Sequence, residues 1–292
     1  AYRWAKGLPV IHPYTRAKVQ VGTPLDFLVV SDHGEGLGVI RAIADEKVEV
    51  NGLNGDIPFF SNLIRDLKFS YMRGKVEDGE AQEFMKQILP RKAENPGTDP
   101  VQDPANVPPG DPTLGDFTPT VTTAWGEIVD AAERHNDPGK FTAFVGWEWS
   151  SMPTGANLHR VVMSPNGGDI SKKYVPFGSD QSQYPEDLWS WLDNTSTDTG
   201  AEFIAIPHNP NASKGYMFAE TTLHGKAITV DYARTRMKWE PVVEMTQIKG
   251  DSETHPTVSP EDSFADFETY DHYLQNTVEE YKATKADYVR SG

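Results

Sequence analysis

The stretch FTAFVGWEWS, residues 141–150, is a mostly apolar run that carries one acidic residue, Glu148, near its end. Two further apolar runs end in the same way on potential metal ligands: LDFLVVSDH, residues 25–33, on Asp32 and His33, and EFIAIPHNP, residues 202–210, on His208. Short apolar runs bounded by Gly, Pro, Asn or Asp are typical of buried β-strands. The sequence therefore predicts three strands that end on residues able to bind metal.

Segments with the helical spacing of apolar residues alternate with the predicted strands. These helical segments are 34–48, 121–135, 184–195, 231–239 and a closing stretch at 264–290, and further strands are expected at 158–164 and 241–250. Alternating strands and helices favour an α/β fold, and an α/β barrel places the side chains at the carboxyl ends of its strands on one face. We therefore expect one α/β barrel domain over residues 1–292, with its chemistry on that face.

Residues 51 to about 122 interrupt this alternation. Two helical segments, 57–69 and 80–89, lead into NPGTDPVQDPANVPPGDPTLGDFTPT, residues 95–120, whose prolines and glycines prevent a regular strand ladder. We interpret the region as an insertion on the barrel rim, after the first strand. It is either a surface loop without a functional role or a lid that covers the substrate.

The composition excludes several kinds of site. A net charge of −16 over 292 residues disfavours nucleic acid as a partner. The absence of cysteine leaves His, Asp and Glu as the strong metal ligands. No apolar run reaches the about 20 residues that span a bilayer. This composition favours a periplasmic or secreted protein, with the cytoplasm as the alternative. We also expect an upstream segment, because the chain begins at Ala1.

Four side chains are the candidate metal ligands: His33, Glu148, His159 and His208. Glu148 lies between two tryptophans, so strand alternation leaves open whether it faces the site or solvent. If it faces the site, its carboxylate can bridge two metal ions, as in hydrolases that use two metals. Three of the four, His33, Glu148 and His208, are also the candidate catalytic residues.

A second set of polar residues is expected to orient these ligands or to contact the substrate: Asp32, Arg160, Asn209, Lys214, Glu244, Lys249 and His255. Asp32 is placed to orient the His33 imidazole. His159 and Arg160 are adjacent on a strand and point to opposite faces, so we favour His159 for the site. The three cations of the set are candidate phosphate contacts, and Glu244 is equally a candidate ligand or orienting acid.

Five segments together resemble the PHP (polymerase and histidinol phosphatase) superfamily, and within it a bacterial branch of domains of unknown function: SDH (31–33), GWEW (146–149), NLHR (157–160), IPHN (206–209) and VEMTQIKGDSETHP (243–256). The resemblance implies a distorted (β/α)7 barrel with two or three Zn, Mn or Fe ions that hydrolyse phosphoesters. It implies that His33 belongs to the second motif, that Glu148 bridges the ions, and that His159 and His208 are later ligands. Such proteins open with His-x-His and close with Asp-x-His. Both motifs are missing, so we expect the chain to be truncated at both ends.

Three functions follow from these observations. The first is a metal-dependent phosphoesterase that acts on a small-molecule phosphoester. The second is a glycosidase-type barrel hydrolase that uses Glu148 and Glu244 as its carboxylate pair. The third is a metal-binding module without catalysis. We favour the first, because a glycosidase leaves the histidines without a role.

Overall fold

A computed structural model describes residues 1–50, 59–78, 100–101, 116–270 and 282–292. The helices in these ranges are α1 (Tyr2–Ala5), α2 (Val39–Ala44), α3 (Phe59–Glu77), α4 (Thr118–His135), α5 (Gly168–Ser171), α6 (Pro185–Thr199) and α7 (Val230–Trp239). The strands are β1 (Val10–Ile11), β2 (Lys18–Val19), β3 (Phe27–Val29), β4 (Thr142–Trp149), β5 (Arg160–Ser164), β6 (Ile204–Pro207), β7 (Thr246–Gln247) and β8 (Gly250–Asp251). Short 3₁₀ turns lie at Pro153–Gly155, Pro210–Ala212 and Lys285–Asp287.

The central sheet consists of β3, β4, β5 and β6, in that order. β3 runs parallel to β4, whereas β5 is antiparallel to both of its neighbours. The pairs β1–β2 and β7–β8 form separate two-stranded sheets. None of these sheets in the described residues closes on itself, so the predicted distorted (β/α)7 barrel is wrong. The fold is mixed α/β around a small open sheet.

The link between β4 and β5 explains why a barrel does not form. It spans only residues 150–159, and the one helical turn in it, Pro153–Gly155, is 3₁₀. A parallel neighbour would need a crossover connection of about a dozen residues or more, usually with a helix. The chain instead reverses, and β5 pairs antiparallel with β4 from the Val145–Ser164 rung to the Trp149–Arg160 rung.

Helices α4 and α6 contribute to the buried apolar cluster that covers one face of the central sheet. The buried residues of α4 recur at helical spacing, as in Trp125, Val129 and Ala132. Trp147 and Trp149 of β4 belong to the same cluster. Their indole N–H groups donate to the backbone carbonyls of residues 177 and 182, so their burial leaves no donor unpaired. Strand alternation then turns Glu148 towards the opposite face.

Several predicted segments have a different outcome. Residues 51–58, 79–99 and 102–115 of the predicted insertion lie outside the described residues, as does 271–281 of the predicted closing helix. In the described parts of that predicted helix, residues 264–268 form turns and 282–290 contain only the 3₁₀ turn at Lys285–Asp287. The strand predicted at 241–250 is reduced to Thr246–Gln247 and the start of β8. Among the described helices, none is both long enough and apolar enough to cross a membrane.

Gly146 permits the close packing of β4 against its neighbours. A Cβ atom at this position would lie 2.5 Å from Val29 Cγ2 and 2.6 Å from the Val162 carbonyl oxygen. We expect Gly146→Ala to lower the free energy of unfolding by about 1–3 kcal/mol, the usual cost of overpacking. Gly126→Ala is the matched control, because a Cβ there meets nothing within 4 Å. In mid-helix it should raise stability by about 0.5–1 kcal/mol. Urea unfolding of both variants checks the pair, and equal effects would contradict the packing argument.

Candidate metal centre

The four predicted metal ligands meet at one edge of the central sheet. His33 follows β3 and forms a parallel bridge with Glu148, and the N–H of Gly34 donates to the Glu148 carbonyl at 2.8 Å. His208 follows β6, and its N–H donates to the carbonyl of His159 at 3.4 Å. Because β5 is antiparallel, its amino end lies beside the carboxyl ends of β4 and β6. This places His159, the residue before β5, at the same edge.

The Glu148 carboxylate lies among the three imidazole rings. Its Oε1 atom is 2.9 Å from His159 Nδ1 and 2.8 Å from His208 Nε2. Its Oε2 atom is 3.0 Å from His33 Nδ1. The two oxygens therefore serve different sides of the cluster: Oε1 faces the two later histidines, and Oε2 faces His33.

The electrostatics favour an ionised Glu148 carboxylate beside a neutral His159 ring. Burial opposes charge on Glu148, but its contacts with His159 and His208 and the nearby imidazoles outweigh burial and hold the pKa of this carboxyl well below its usual range. Burial lowers the pKa of the His159 imidazole. His159 is therefore neutral near pH 7, which is the form of imidazole that binds a metal ion.

Two ring nitrogens of the cluster are buried without a hydrogen bond, Nε2 of His159 and Nε2 of His208. Nε2 of His208 nevertheless lies 2.8 Å from Glu148 Oε1, a contact that helps to lower the pKa of that carboxyl, so Nε2 of His159 is the clearer case. A buried polar atom without a partner calls for an explanation, and an unseen ion is one of the usual ones. One ligand atom from each of Glu148, His159 and His208 lies within 4.8 Å of the other two. Imidazole and carboxylate are the ligands that zinc and related divalent ions prefer, so these residues fit such an ion.

The cluster is closed on one side and open on the other. The His159 and His208 side chains are only 9% and 10% exposed, whereas the His33 side chain is 63% exposed. Structural metal sites enclose the ion, while catalytic sites keep a position open for water or substrate. The exposure of His33 therefore gives the centre an accessible side.

The partners of His33 differ from the prediction. Asp32 is exposed, and the groups at His33 Nδ1 are Ser150 Oγ, at 2.5 Å, and Glu148. Glu35 Oε2 lies 3.9 Å from the same nitrogen. The structure thus places Ser150 and two glutamates, rather than Asp32, around the His33 ring.

Gln247 joins the predicted residue Glu244 to the cluster. Its side-chain nitrogen lies 3.2 Å from His208 Nδ1 and donates to Glu244 Oε2 at 2.7 Å. A contact at the far nitrogen of a metal-binding histidine fixes the orientation of the ring. Glu244 therefore acts on His208 through Gln247.

We expect Gln247→Leu to weaken divalent-ion affinity by about 10–100-fold, the usual cost of losing a residue that orients a ligand. The substitution removes the contact at His208 Nδ1 and frees the ring to rotate. Gln181→Leu, at an exposed position, is the matched control. Isothermal titration with Zn²⁺ measures both affinities, and equal values for the two variants would refute the orienting role.

The remaining predicted residues lie around or away from the cluster. Arg160 points to the helix-covered face, where its Nε donates to Glu240 Oε1 at 2.9 Å. Lys214 donates to the backbone carbonyl of Thr154.

Three of the predicted residues lie in the loops beyond β6 and β7. Asn209 is buried with a positive φ of 52°. Lys249 lies in the β7–β8 turn, and its backbone carbonyl accepts from Asn211 at 3.0 Å. His255 is buried, and its ring stacks on Tyr288 with centroids 5.6 Å apart. The Asn211–Lys249 contact therefore links the turn after β6 to the β7–β8 turn.

Glu35, Ser150 and Gln247 were absent from the predicted site. Glu35 had a local signal, because it stands between Gly34 and Gly36 directly after His33. At Gly34 a Cβ atom would lie 2.9 Å from the Trp147 ring, which shows how closely this turn approaches β4. The other two residues carried no pattern that separates them from ordinary polar positions.

Comparison with known proteins gives a family match. A family model described as a protein of unknown function (DUF3604) matches residues 1–292. No curated protein and no solved structure matches the chain. These comparisons do not link the chain to the PHP superfamily, so that resemblance stays a prediction.

Proposed function

The chain belongs to the DUF3604 family, and on that premise we propose that it is a metal-dependent hydrolase that acts on phosphoesters. One observation carries the proposal: three imidazoles converge on one partly buried carboxylate, Glu148, at the edge of the sheet. The buried Nε2 atom of His159 has no hydrogen-bond partner among the described residues, and a divalent ion would supply one.

Each residue of the centre has a role in this proposal. Glu148, His159 and His208 hold a divalent ion on the buried side, and His33 faces the open side. A bound ion of Zn, Mn or Fe supplies Lewis acidity, which lowers the pKa of water and offsets charge on the phosphoryl oxygens. Gln247 fixes the His208 ring, and Glu148 remains ionised because of its contacts with the imidazoles.

Phosphoesters are the proposed substrates for two reasons. The motifs around the four ligands resemble those of PHP phosphoesterases. In addition, a chain with a net charge of −16 needs local positive charge to bind an anionic substrate, and bound cations provide it. Lys214 and Lys249, in loops beside the centre, are the proposed further phosphate contacts.

The glycosidase alternative is less well supported. A glycosidase needs one carboxyl group whose pKa is raised, so that it can protonate the leaving group. The neighbouring imidazoles instead hold the pKa of Glu148 low, so Glu148 is unsuited to be that acid and the acid would have to be Glu244. Glu244 is connected to His208 indirectly, because Gln247 lies between the two side chains. A metal-binding module without catalysis is the second candidate, but the 63% exposure of His33 favours access for substrate.

Elemental mass spectrometry of the protein after gel filtration tests the proposal. We expect bound Zn, Mn or Fe and hydrolysis of p-nitrophenyl phosphate or bis(p-nitrophenyl) phosphate that stops on chelation and returns with metal. Metal without hydrolysis across a phosphoester panel would favour the binding module. No metal, even after reconstitution, would exclude both metal-based functions.

A further inference from the structure

The first 25 residues are basic, although the chain as a whole is acidic. They contain four Lys and Arg residues and no Asp or Glu, and since the whole chain has a net charge of −16, residues 26–292 carry −20. Three of the four cations, Arg3, Arg16 and Lys18, are exposed. Among the described residues, none of these three forms an ion pair. The amino-terminal part of the chain therefore presents positive charge that the fold itself does not neutralise.

Two of these cations lie on a hairpin that also exposes apolar side chains. We call residues 10–19, which are β1, β2 and the turn between them, the basic hairpin. Ile11 pairs with Lys18 across the two strands, so their side chains share one face. The His12 ring accepts the N–H of Tyr14 at 3.3 Å, and this bond helps to fix the turn. Tyr14 is 89% exposed at the tip of the hairpin, so a large side chain and positive charge face solvent together.

A loop after β8 has the opposite charge and also exposes large apolar side chains. We call residues 261–268 the acidic loop, which contains four Asp and Glu residues and no Lys or Arg. Phe264 and Phe267 in this loop are 79% and 66% exposed. The carbonyl of Glu268 accepts the N–H of Asp251, in β8, at 3.0 Å. The loop is therefore anchored to the β7–β8 sheet while both phenyl rings remain in solvent.

The basic hairpin and the acidic loop are connected to opposite edges of the central sheet, whose outer strands are β3 and β6. On the hairpin side, the N–H of Leu25, just before β3, donates to the carbonyl of Ala5 in α1 at 2.8 Å. On the loop side, the N–H of Glu244, just before β7, donates to the carbonyl of Pro207 in β6 at 3.0 Å. Both surfaces are exposed, so neither covers the other within one molecule. Their complementary charges are placed to pair between molecules.

We propose that the basic hairpin binds the acidic loop of a second copy of this chain. Complementary charge sets the partner and the register, and the exposed apolar side chains of both surfaces supply contact area. A second copy is favoured over an anionic membrane, because the −20 carried by residues 26–292 is repelled by such a membrane. The contact uses two different surfaces, so each dimer keeps one free hairpin and one free loop. Association therefore continues beyond the dimer, into a ring or an open chain.

Sedimentation velocity of the full chain, over a range of protein concentrations at fixed salt, tests this proposal. We expect the unmodified chain to form dimers and larger species. The hairpin variant, Arg16→Gln with Lys18→Gln, should self-associate at least about 10-fold more weakly, because close charge pairs across an interface are lost. Lys140→Gln with Lys226→Gln is the matched control. It removes two exposed positive charges elsewhere and should associate like the unmodified chain.

A mixing experiment tests whether the two surfaces are each other's partners. The loop variant, Glu261→Gln with Asp266→Asn, should by itself also self-associate at least about 10-fold more weakly. The hairpin variant retains the acidic loop, and the loop variant retains the basic hairpin. An equimolar mixture should therefore form dimers, one chain of each variant, with the affinity of the unmodified chain, and nothing larger.

Several results would overturn the proposal. They are an unmodified chain that is monomeric at every concentration, a hairpin variant that associates like its control, and a mixture that does not form dimers. Co-sedimentation of a monomeric chain with phosphatidylglycerol vesicles, lost in the hairpin variant, would assign the hairpin to an anionic membrane instead. Circular dichroism shows whether each variant is folded. If the hairpin variant is not, Tyr14→Ser replaces it, and unchanged association in Tyr14→Ser would equally overturn the proposal.

Discussion

Glu148→Gln is expected to remove most of the bound metal and nearly all phosphoester turnover. Glu148 is in contact with all three imidazoles, through both of its oxygens. An amide keeps the size of the side chain but loses the negative charge and one of the two acceptor oxygens. We expect metal affinity to fall by more than about 100-fold, because losing a residue that only orients a ligand already costs about 10–100-fold.

Metal content by elemental mass spectrometry and turnover of a chromogenic phosphoester are the two readouts for Glu148→Gln. Glu127→Gln, at an exposed position on α4, is the matched control and should leave both unchanged. Circular dichroism and the unfolding midpoint show whether the variant is folded. A folded Glu148→Gln protein with unaltered metal content and turnover would exclude the carboxylate from the centre and, with it, the proposed function.

The convergence of the four predicted ligands could be anticipated because each stands where an apolar strand begins or ends. The buried strand fixes the backbone, and the polar residue next to it must emerge at the edge of the sheet. Period-two alternation also separated His159 from Arg160 correctly in space: the first lies at the centre and the second on the opposite face. What these side chains bind is still a proposal.

The open sheet was not predicted, because alternation of strands and helices does not specify the direction in which each strand runs. The resemblance to PHP proteins implied a distorted (β/α)7 barrel. The link at residues 150–159 is too short for a helical crossover, and this shortness indicates an antiparallel strand after β4. The antiparallel β5 still brings His159 to the site, so the ligands converge without a closed barrel.

Residues that act through other residues were the hardest to predict. Gln247 and Ser150 lie inside segments that the prediction used, 243–256 and 141–150, but neither residue type is a usual metal ligand. Their contacts with the histidines arise because distant segments pack together. Glu244 was predicted as a ligand or an orienting acid. The structure connects it to His208 through Gln247, a link that sequence spacing alone does not reveal.

The second large effect is expected on stability, at the buried ion pair behind the centre. Glu240 is 1% exposed and lies between two arginines: its Oε1 accepts from Arg160 at 2.9 Å, and its Oε2 accepts from Arg236 at 3.0 Å. Trp189 also donates to Oε1, at 2.9 Å. Glu240→Ala leaves the buried Arg160 guanidinium without its carboxylate. We expect a loss of about 3–5 kcal/mol in the free energy of unfolding, the usual cost of removing one partner of a buried pair.

Urea unfolding at several pH values measures this loss and checks its cause. Burial alone would raise the pKa of the Glu240 carboxyl, but Arg160 and Arg236 outweigh burial and lower it. The native state therefore binds fewer protons than the unfolded state, so the contribution of Glu240 is complete above the usual carboxyl pKa and declines as the pH falls below it. The difference between the unmodified protein and Glu240→Ala should shrink on acidification. In the double variant Arg160→Met, Glu240→Leu, part of the stability should return, because apolar side chains replace the most deeply buried pair, whereas Arg236 and the Trp189 N–H still lose their acceptor. A loss below 1 kcal/mol at pH 7, or one that grows in acid, would show that the pair does not stabilise the fold through its charge.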